Sequence, residues 1–245
     1  MNPDEYAAMA MVEKDHWFYR GKRIFVRAWI RRMMPASQGK VLLDCGCGTG
    51  IFASAMEDIF QVIGMDDHEE ALSYARKNLV RGNCIQGSAT QIPMDDATVD
   101  VITLLDVLEH IPDDRKTLAE IYRVLKPKGL LILTVPASPA LWSEWDEVLH
   151  HCRRYLIKDL MEKVRSAGMQ VEHWNHTNIL PYPMIFLIRK WQSALSGFSR
   201  KKRMEDRIPP SPINALLEWQ FVRLACQKTI RFPFGVSLLL IAKKP

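Results

Sequence analysis

The sequence lacks any apolar run long enough to cross a bilayer. Its two most apolar stretches, Ile179–Ile188 and Phe232–Ala242, fall short of the roughly 18 residues a membrane span needs, and prolines interrupt both. Met1 to His16 is polar and acidic, without the apolar centre of a secretion signal. A cytoplasmic protein is expected, with peripheral contact at a membrane surface left open. The cysteines (Cys45, Cys47, Cys84, Cys152 and Cys226) are odd in number and irregularly spaced. That excludes an obvious disulfide framework or four-ligand zinc site, and reduced thiols are the default. No internal repeat or low-complexity tract is visible.

What is present suits a soluble globular chain. Its 245 residues fit one large domain, or one domain carrying an insertion. Apolar residues make up 48% and charged residues 25%, enough for a sizeable core. The net charge of +5 comes from interspersed signs, so an ordinary slightly basic surface is the simple reading. One run, Arg200-Lys201-Lys202-Arg203, keeps an anionic partner in view.

Along the chain, residues 16–34 read as an aromatic and basic helix broken at Pro35. A β/α alternation follows. Strands are expected at Lys40–Cys45, Gln61–Asp66, Cys84–Gln86, Asp100–Leu105 and Leu130–Val135. Helices are expected at Thr49–Phe60, Glu69–Val80 and Asp113–Leu125. Unbroken apolar strands separated by helices imply a mostly parallel sheet covered on both faces. After Pro136 come a segment dense in aromatic, His and Arg side chains (Trp142–Tyr155) and an amphipathic helix at Ile157–Ala167. A sixth strand is expected at Gln170–Asn178 and a final one at Gly235–Ala242, with a helix at Ile213–Thr229 between them. The expected organisation is an N-terminal helical lid (1–38), an α/β domain (39–178 and 234–245) and a helical insertion (179–233).

The strongest chemical signal is Val41-Leu42-Leu43-Asp44-Cys45-Gly46-Cys47-Gly48-Thr49-Gly50. A strand ends in acid and runs into glycines alternating with small residues, which lets the chain turn sharply and a ligand approach its backbone. The strand Val62-Ile63-Gly64-Met65 then ends at Asp66, and 66 − 44 places it 22 positions after the first acid. An acid there sits at the neighbouring strand tip, where it can accept hydrogen bonds from ribose hydroxyls. The glycine spacing is G-x-G-x-G rather than the dinucleotide G-x-G-x-x-G, and Asp44 would repel a pyrophosphate. A ligand carrying positive charge suits it better, which leaves a nicotinamide oxidoreductase as a minor reading.

These residues resemble class I S-adenosylmethionine-dependent methyltransferases. Asp44 to Gly50 is similar to that family's first motif, and Gly64-Met65-Asp66 to its second strand. Gly87-Ser88-Ala89-Thr90-Gln91-Ile92-Pro93 is similar to the stretch flanking adenine. Asp100 to Ile111 resembles the fourth-strand motif, and Arg123 to Ile132 the approach to strand five. The resemblance covers roughly residues 40–137. It implies a doubly wound, Rossmann-like, seven-stranded sheet with an antiparallel last strand.

It also implies S-adenosylmethionine as cofactor, with Gly46, Cys47, Gly48 and Gly50 along its amino-acid and ribose portion. Asp44 would lie near its amino group, Asp66 on the ribose hydroxyls, and Asp67 beside the adenosine. Ser88 and Ala89 would border adenine, and Leu105 and Asp106 would face the methionine end. Two positions depart from the pattern: an acid is common where Ser88 stands, and an apolar residue where Asp67 stands.

The flanks, His16-Trp17-Phe18-Tyr19-Arg20-Gly21 and His151-Cys152-Arg153-Arg154-Tyr155, resemble a bacterial small-molecule subgroup. By that resemblance the N-terminal helix lids the cofactor, Arg20 lies near its carboxylate, and the His151 segment faces the acceptor. A packed aromatic helix and a basic surface turn are the simpler readings.

Methyl transfer from a sulfonium is an in-line displacement that calls for positioning and no metal. A base is needed only where the acceptor must lose a proton, and His110 and His151 are the candidates. His110 also has the simpler reading of a backbone-bonded loop residue. The acceptor is expected to be a small or lipid-linked molecule. Less favoured are an RNA acceptor and a non-catalytic cofactor-binding protein.

Overall fold

The computed structural model describes residues 3–194 and 207–245, with side chains from 6 to 191 and from 207 onward. The basic run Arg200–Arg203 lies outside the described residues.

Seven strands form one sheet: β1 (Val41–Cys45), β2 (Gln61–Asp66), β3 (Asn83–Gln86), β4 (Val99–Leu105), β5 (Leu125–Pro136), β6 (Gln170–Thr177) and β7 (Ser237–Lys243). Their order is β3-β2-β1-β4-β5-β7-β6. All run parallel except β7, which lies antiparallel to both β5 and β6. The order reverses between β1 and β4, so the crevice beyond their carboxyl ends is where an open α/β sheet receives ligands.

Side chains alternate across each strand, and here both faces are covered. Leu43, Ile102, Leu131 and Leu240 meet α5 (Asp114–Val124) and α7 (Ile157–Ser166) through Leu118, Ile121, Val124, Leu160 and Val164. Their sequence neighbours Leu42, Val101, Ile132 and Leu239 face the other way. They meet α2 (Trp17–Met33), α4 (Glu69–Asn78) and α9 (Ser211–Ala225) through Phe25, Trp29, Ile30, Leu72, Phe221 and Ala225. This two-sided burial is why the strands read as unbroken apolar runs.

Four more α-helices are found among the described residues: α1 (Pro3–Val12), α3 (Ile51–Ser54), α6 (Glu144–Val148) and α8 (Tyr182–Ala194). The helix expected over 49–60 shrinks to α3 (Ile51–Ser54). Beyond it the amides of Met56, Glu57 and Ile59 bond three residues back, to Ala53, Ser54 and Met56. These tight turns bury Met56, Ile59 and Phe60 just before β2 begins. In α8 the prolines that read as breakers stand before and inside the first turn, where an amide has no intrahelical partner to lose.

Segment 1–38 divides in two. Helix α2 is a layer of the α/β core, with Phe25, Val26, Trp29 and Ile30 buried, whereas α1 packs against the outer side of that layer at α4, with Tyr6 buried. The aromatics at its start are explained by α9. The ring of Phe221 lies 5.5 Å from Trp17, 5.7 Å from Phe18 and 5.4 Å from Phe25. Gly21 must be bare there, since a Cβ would come within 2.6 Å of the Phe221 ring. Truncating this ring removes the contact between two elements far apart in sequence. Phe221→Ala is expected to cost about 3–5 kcal/mol in urea unfolding, as for large-to-alanine changes in a core.

Candidate functional site: two strand tips and a glycine bend

The chain leaves β1 into a bend that is left-handed at three places, a conformation glycine adopts at no steric cost. Gly46, Gly48 and Gly50 have φ of +76°, +53° and +77°. Space imposes the same choice. A Cβ on Gly46 would sit 2.4 Å from a Val107 methyl, and one on Gly50 would sit 2.8 Å from the Ala75 backbone. The amides of Gly46 and Cys47 donate to the Met65 carbonyl at 2.7 and 2.9 Å, which ties the bend to β2.

Both acids read from the sequence stand at these tips. Asp66 accepts from the Gly48 amide at 2.9 Å and from the His68 amide at 3.1 Å. Burial raises its carboxyl above the ordinary range, and the two amides work against that. Asp44 is fully enclosed beneath the bend, where Thr103 Oγ1 donates to it at 2.7 Å. Burial pushes Asp44 up to about 7 from an ordinary 3.8; Asp66 adds to the rise and Thr103 opposes it. Such a group favours a cation that would restore its charge.

The remaining predicted residues lie around this pair. Asp67 is exposed, with His68 Nδ1 at 2.5 Å from its carboxylate. Beyond β3, Ser88 is exposed and its hydroxyl lies 2.9 Å from Thr90 Oγ1, while Ala89 is buried. Cys47 is buried, and burial drives its thiol far up, which makes it a small inert packing residue. Leu105 ends β4, and Asp106 follows in a left-handed conformation, φ +56°. A non-glycine residue held there marks a position that its surroundings over-determine.

Asp106 accepts from Thr134 Oγ1 at 2.8 Å and pairs with Lys22. Burial opposes its ionisation, but Lys22 and Thr134 outweigh burial and hold the carboxyl below its usual range. Lys22 was not singled out in the sequence. Arg20 lies two residues earlier, about 200° around the same helix. It pairs with Glu218 of α9 at 2.6 Å, and the structure does not bring it to the strand tips. Helix α1 lies against the bend: Met9 Cε is 3.1 Å from where a Gly48 Cβ would be, Tyr6 is 6.0 Å from the His68 ring, and Glu13 bonds Thr49.

A second cluster adjoins Asp106. His110 and His151 stand edge to face with centroids 4.8 Å apart. His151 Nδ1 lies 2.9 Å from Asp146, which is fully buried and also receives Arg154 Nε at 2.7 Å and the Ser143 amide at 2.9 Å. Burial opposes charge on Asp146, yet His151 and Arg154 keep it ionised below the ordinary range. The carboxylate therefore orients the imidazole and leaves Nε2 to face outward from the pair. Glu109 is buried, its Oε2 has no hydrogen-bond partner, and burial together with the Asp106 charge raises it well above the ordinary range.

Asp146 and Glu109 were missed in the sequence. The only available signal was the acid five positions before His151. Ligand atoms of Glu109, His110 and His151 lie within 4.8 Å of one another, as do those of Asp66, Asp67 and His68, so either trio has the geometry to hold a cation.

The strand order and the glycine bend between two acids define a nucleoside-binding α/β domain. Residues 43–133 match the family model of a methyltransferase domain, and they form a class I, S-adenosylmethionine-dependent methyltransferase domain. A Mycolicibacterium smegmatis protein named "Probable S-adenosylmethionine-dependent methyltransferase" is 29% identical over 165 residues, covering 66% of this chain and 62% of that protein. A Mycobacterium tuberculosis protein of similar name is 31% identical over 124 residues, 50% of this chain and 43% of its own length. The chain therefore spans less than two thirds of these relatives. Demethylmenaquinone methyltransferase of Listeria monocytogenes is 29% identical over 178 residues, 69% of this chain and 73% of that protein. In fold, the chain is similar to a SAM-dependent methyltransferase structure from Thermotoga maritima (TM-score 0.64, 19% identity, 99% of this chain and 95% of that one).

One consequence of burying Asp44 is measurable without ligand. Between about pH 4 and 7 the folded form holds a proton that the unfolded chain has released, so this group's contribution to stability is lost as pH rises through 7. Asp44→Asn keeps an acceptor for Thr103 and does not titrate. Its stability relative to the parent protein is expected to grow with pH, reaching on the order of a few kcal/mol by pH 8 in denaturant titrations.

Proposed function

We propose that the protein transfers a methyl group from S-adenosylmethionine to a small-molecule or lipid-linked acceptor. The observation that carries this reading is the pair Asp44 and Asp66, set at adjacent strand tips on either side of a bare-backbone bend. The residues fit the cofactor. Asp66 retains acceptor capacity beyond its two amide bonds, which suits ribose hydroxyls, and Asp44 waits for a cation such as an amino group. Gly46, Cys47, Gly48 and Gly50 would pass along the ligand, Asp67, Ser88 and Ala89 would border the base, and Leu105 and Asp106 would meet its methionine end. Lys22 would stand beside the carboxylate there, and α1 would act as the lid.

The cofactor supplies an activated methyl on a sulfonium. What remains for the chain is alignment and exclusion of water, effects worth up to about 7–11 kcal/mol in well-aligned systems. His151 would accept a proton from the acceptor at Nε2, with Asp146 holding the imidazole in place, and His110 would pack beside it as an acceptor contact. The Listeria monocytogenes relative, named for demethylmenaquinone, supports a small-molecule acceptor.

Calorimetry with S-adenosylhomocysteine tests the cofactor; no heat with the intact protein ends this reading. The affinity is expected to fall as pH drops below 7, because Asp44 must release its proton to meet the ligand's amino group. Asp44→Asn is expected to lose that pH dependence. With an acceptor identified by labelled-methyl transfer, His151→Ala is expected to lower kcat by about 10²–10⁴-fold and leave S-adenosylhomocysteine affinity unchanged. Full turnover in that variant would remove His151 from the mechanism.

A further inference from the structure

We infer that the strand-tip end of the molecule docks on an anionic phospholipid surface through the outward apolar stripe on α8 and the exposed side chains of the first turns of α9. This deepens the acceptor reading above and rests on it only for its consequence: a lipid-linked acceptor would reach the site without leaving its membrane.

The stripes run against the usual arrangement. A helix on a globular protein turns its apolar side chains to the core. On and just before α8, Leu180, Met184, Leu187, Ile188 and Trp191 recur at helical spacing along one side, and all are exposed, Leu187 by 67% and Trp191 by 59%. The helix is held from its other side, where Tyr182 stacks on Phe234 at 5.0 Å and Arg189 bonds the Leu141 carbonyl. Helix α9 repeats the pattern. It buries Phe221 and Ala225 while Ile213, Leu216 and Trp219 face out, with the Arg223 guanidinium 5.3 Å from the Trp219 ring.

The stripe of α8 and the first turns of α9 lie at the site's end of the sheet. Strand β6 runs parallel to β1 and β4, so α8, which follows it, starts at the carboxyl end of the sheet and packs on the short turn at Pro139–Leu141 beyond β5. Helix α9 starts at the same end, where Asn214 Oδ1 accepts from the Trp17 amide at 2.9 Å, a few residues from the Lys22–Asp106 pair.

Charge selects the occupant. From His173 to Ser237 the sequence has three acids, Glu205, Asp206 and Glu218, against ten Lys or Arg. Elsewhere acids and bases are interspersed, and the whole chain has 28 acids against 33 bases. Aliphatic and Trp side chains set among an excess of cations, with Glu218 neutralised by Arg20, match the boundary between acyl chains and anionic headgroups. No described helix is long and apolar enough to cross a membrane, so α8, which crosses the strand tips, would lie in the interface plane.

The test is co-sedimentation of the full chain with phosphatidylcholine vesicles, with and without phosphatidylglycerol. Binding is expected only with phosphatidylglycerol, is expected to weaken as salt rises, and is expected to fall at least about tenfold in a Leu187→Asp, Trp191→Asp double variant. Absence of binding to the anionic vesicles, or equal binding by the variant, overturns the proposal. So does a parent dimer in ultracentrifugation that the variant dissociates without any vesicle binding, which would assign the stripes to a second copy. S-adenosylhomocysteine calorimetry on the variant reports its fold. Failure of that heat in the parent protein ends the methyl-transfer reading and leaves the vesicle result standing.

Discussion

The bond from the Gly48 amide to the Asp66 carboxylate joins the bend after β1 to the tip of β2. The amides of Gly46 and Cys47 reinforce it through the Met65 carbonyl. Together they place a turn with three left-handed glycines over the point where the strand order reverses. Asp44 is buried beneath that turn as a result, and its raised carboxyl follows from the enclosure. The ligand-facing surface here is mostly backbone, which is why neighbours such as Val107 and Ala75 can press so close.

The neighbouring cluster around Asp106 and His151 is built on a different principle. Ion pairs between helices and loops, rather than a strand turn, bring its groups together. Asp106 depends on Lys22 from α2, and His151 depends on Asp146 from α6. Arg154 and Arg189 gather on the same Asp146, so one buried carboxylate organises residues from three separate segments. Removing one partner of such a buried group leaves an uncompensated charge, which makes this cluster sensitive to substitution.

This difference explains what could be read from the sequence. The sheet was legible because two-sided burial writes long apolar runs, and the antiparallel last strand was implied by the resemblance. Asp44 and Asp66 were legible because glycine spacing and strand ends are local features. Lys22 was not, because its partner Asp106 is 84 residues away and nothing in residues 16–21 favours one helix face over another. Arg20 was singled out from resemblance, and helical geometry turns it toward Glu218. The prolines near 181–183 read as interruptions of a run, while in the fold they start a helix. Phe221 read as one apolar residue among many, yet it explains the aromatics of Trp17 and Phe18 and the bareness of Gly21.

Helix α1 touches the glycine bend through Met9 and holds it through Glu13 and Thr49. One of these contacts involves a flexible thioether. Under the proposed function, a ligand seated between α1 and the bend would leave as they separate, and the pace of successive turnovers would follow the swing of this short segment. Motions of that kind take microseconds to milliseconds and often outlast the bond-making step.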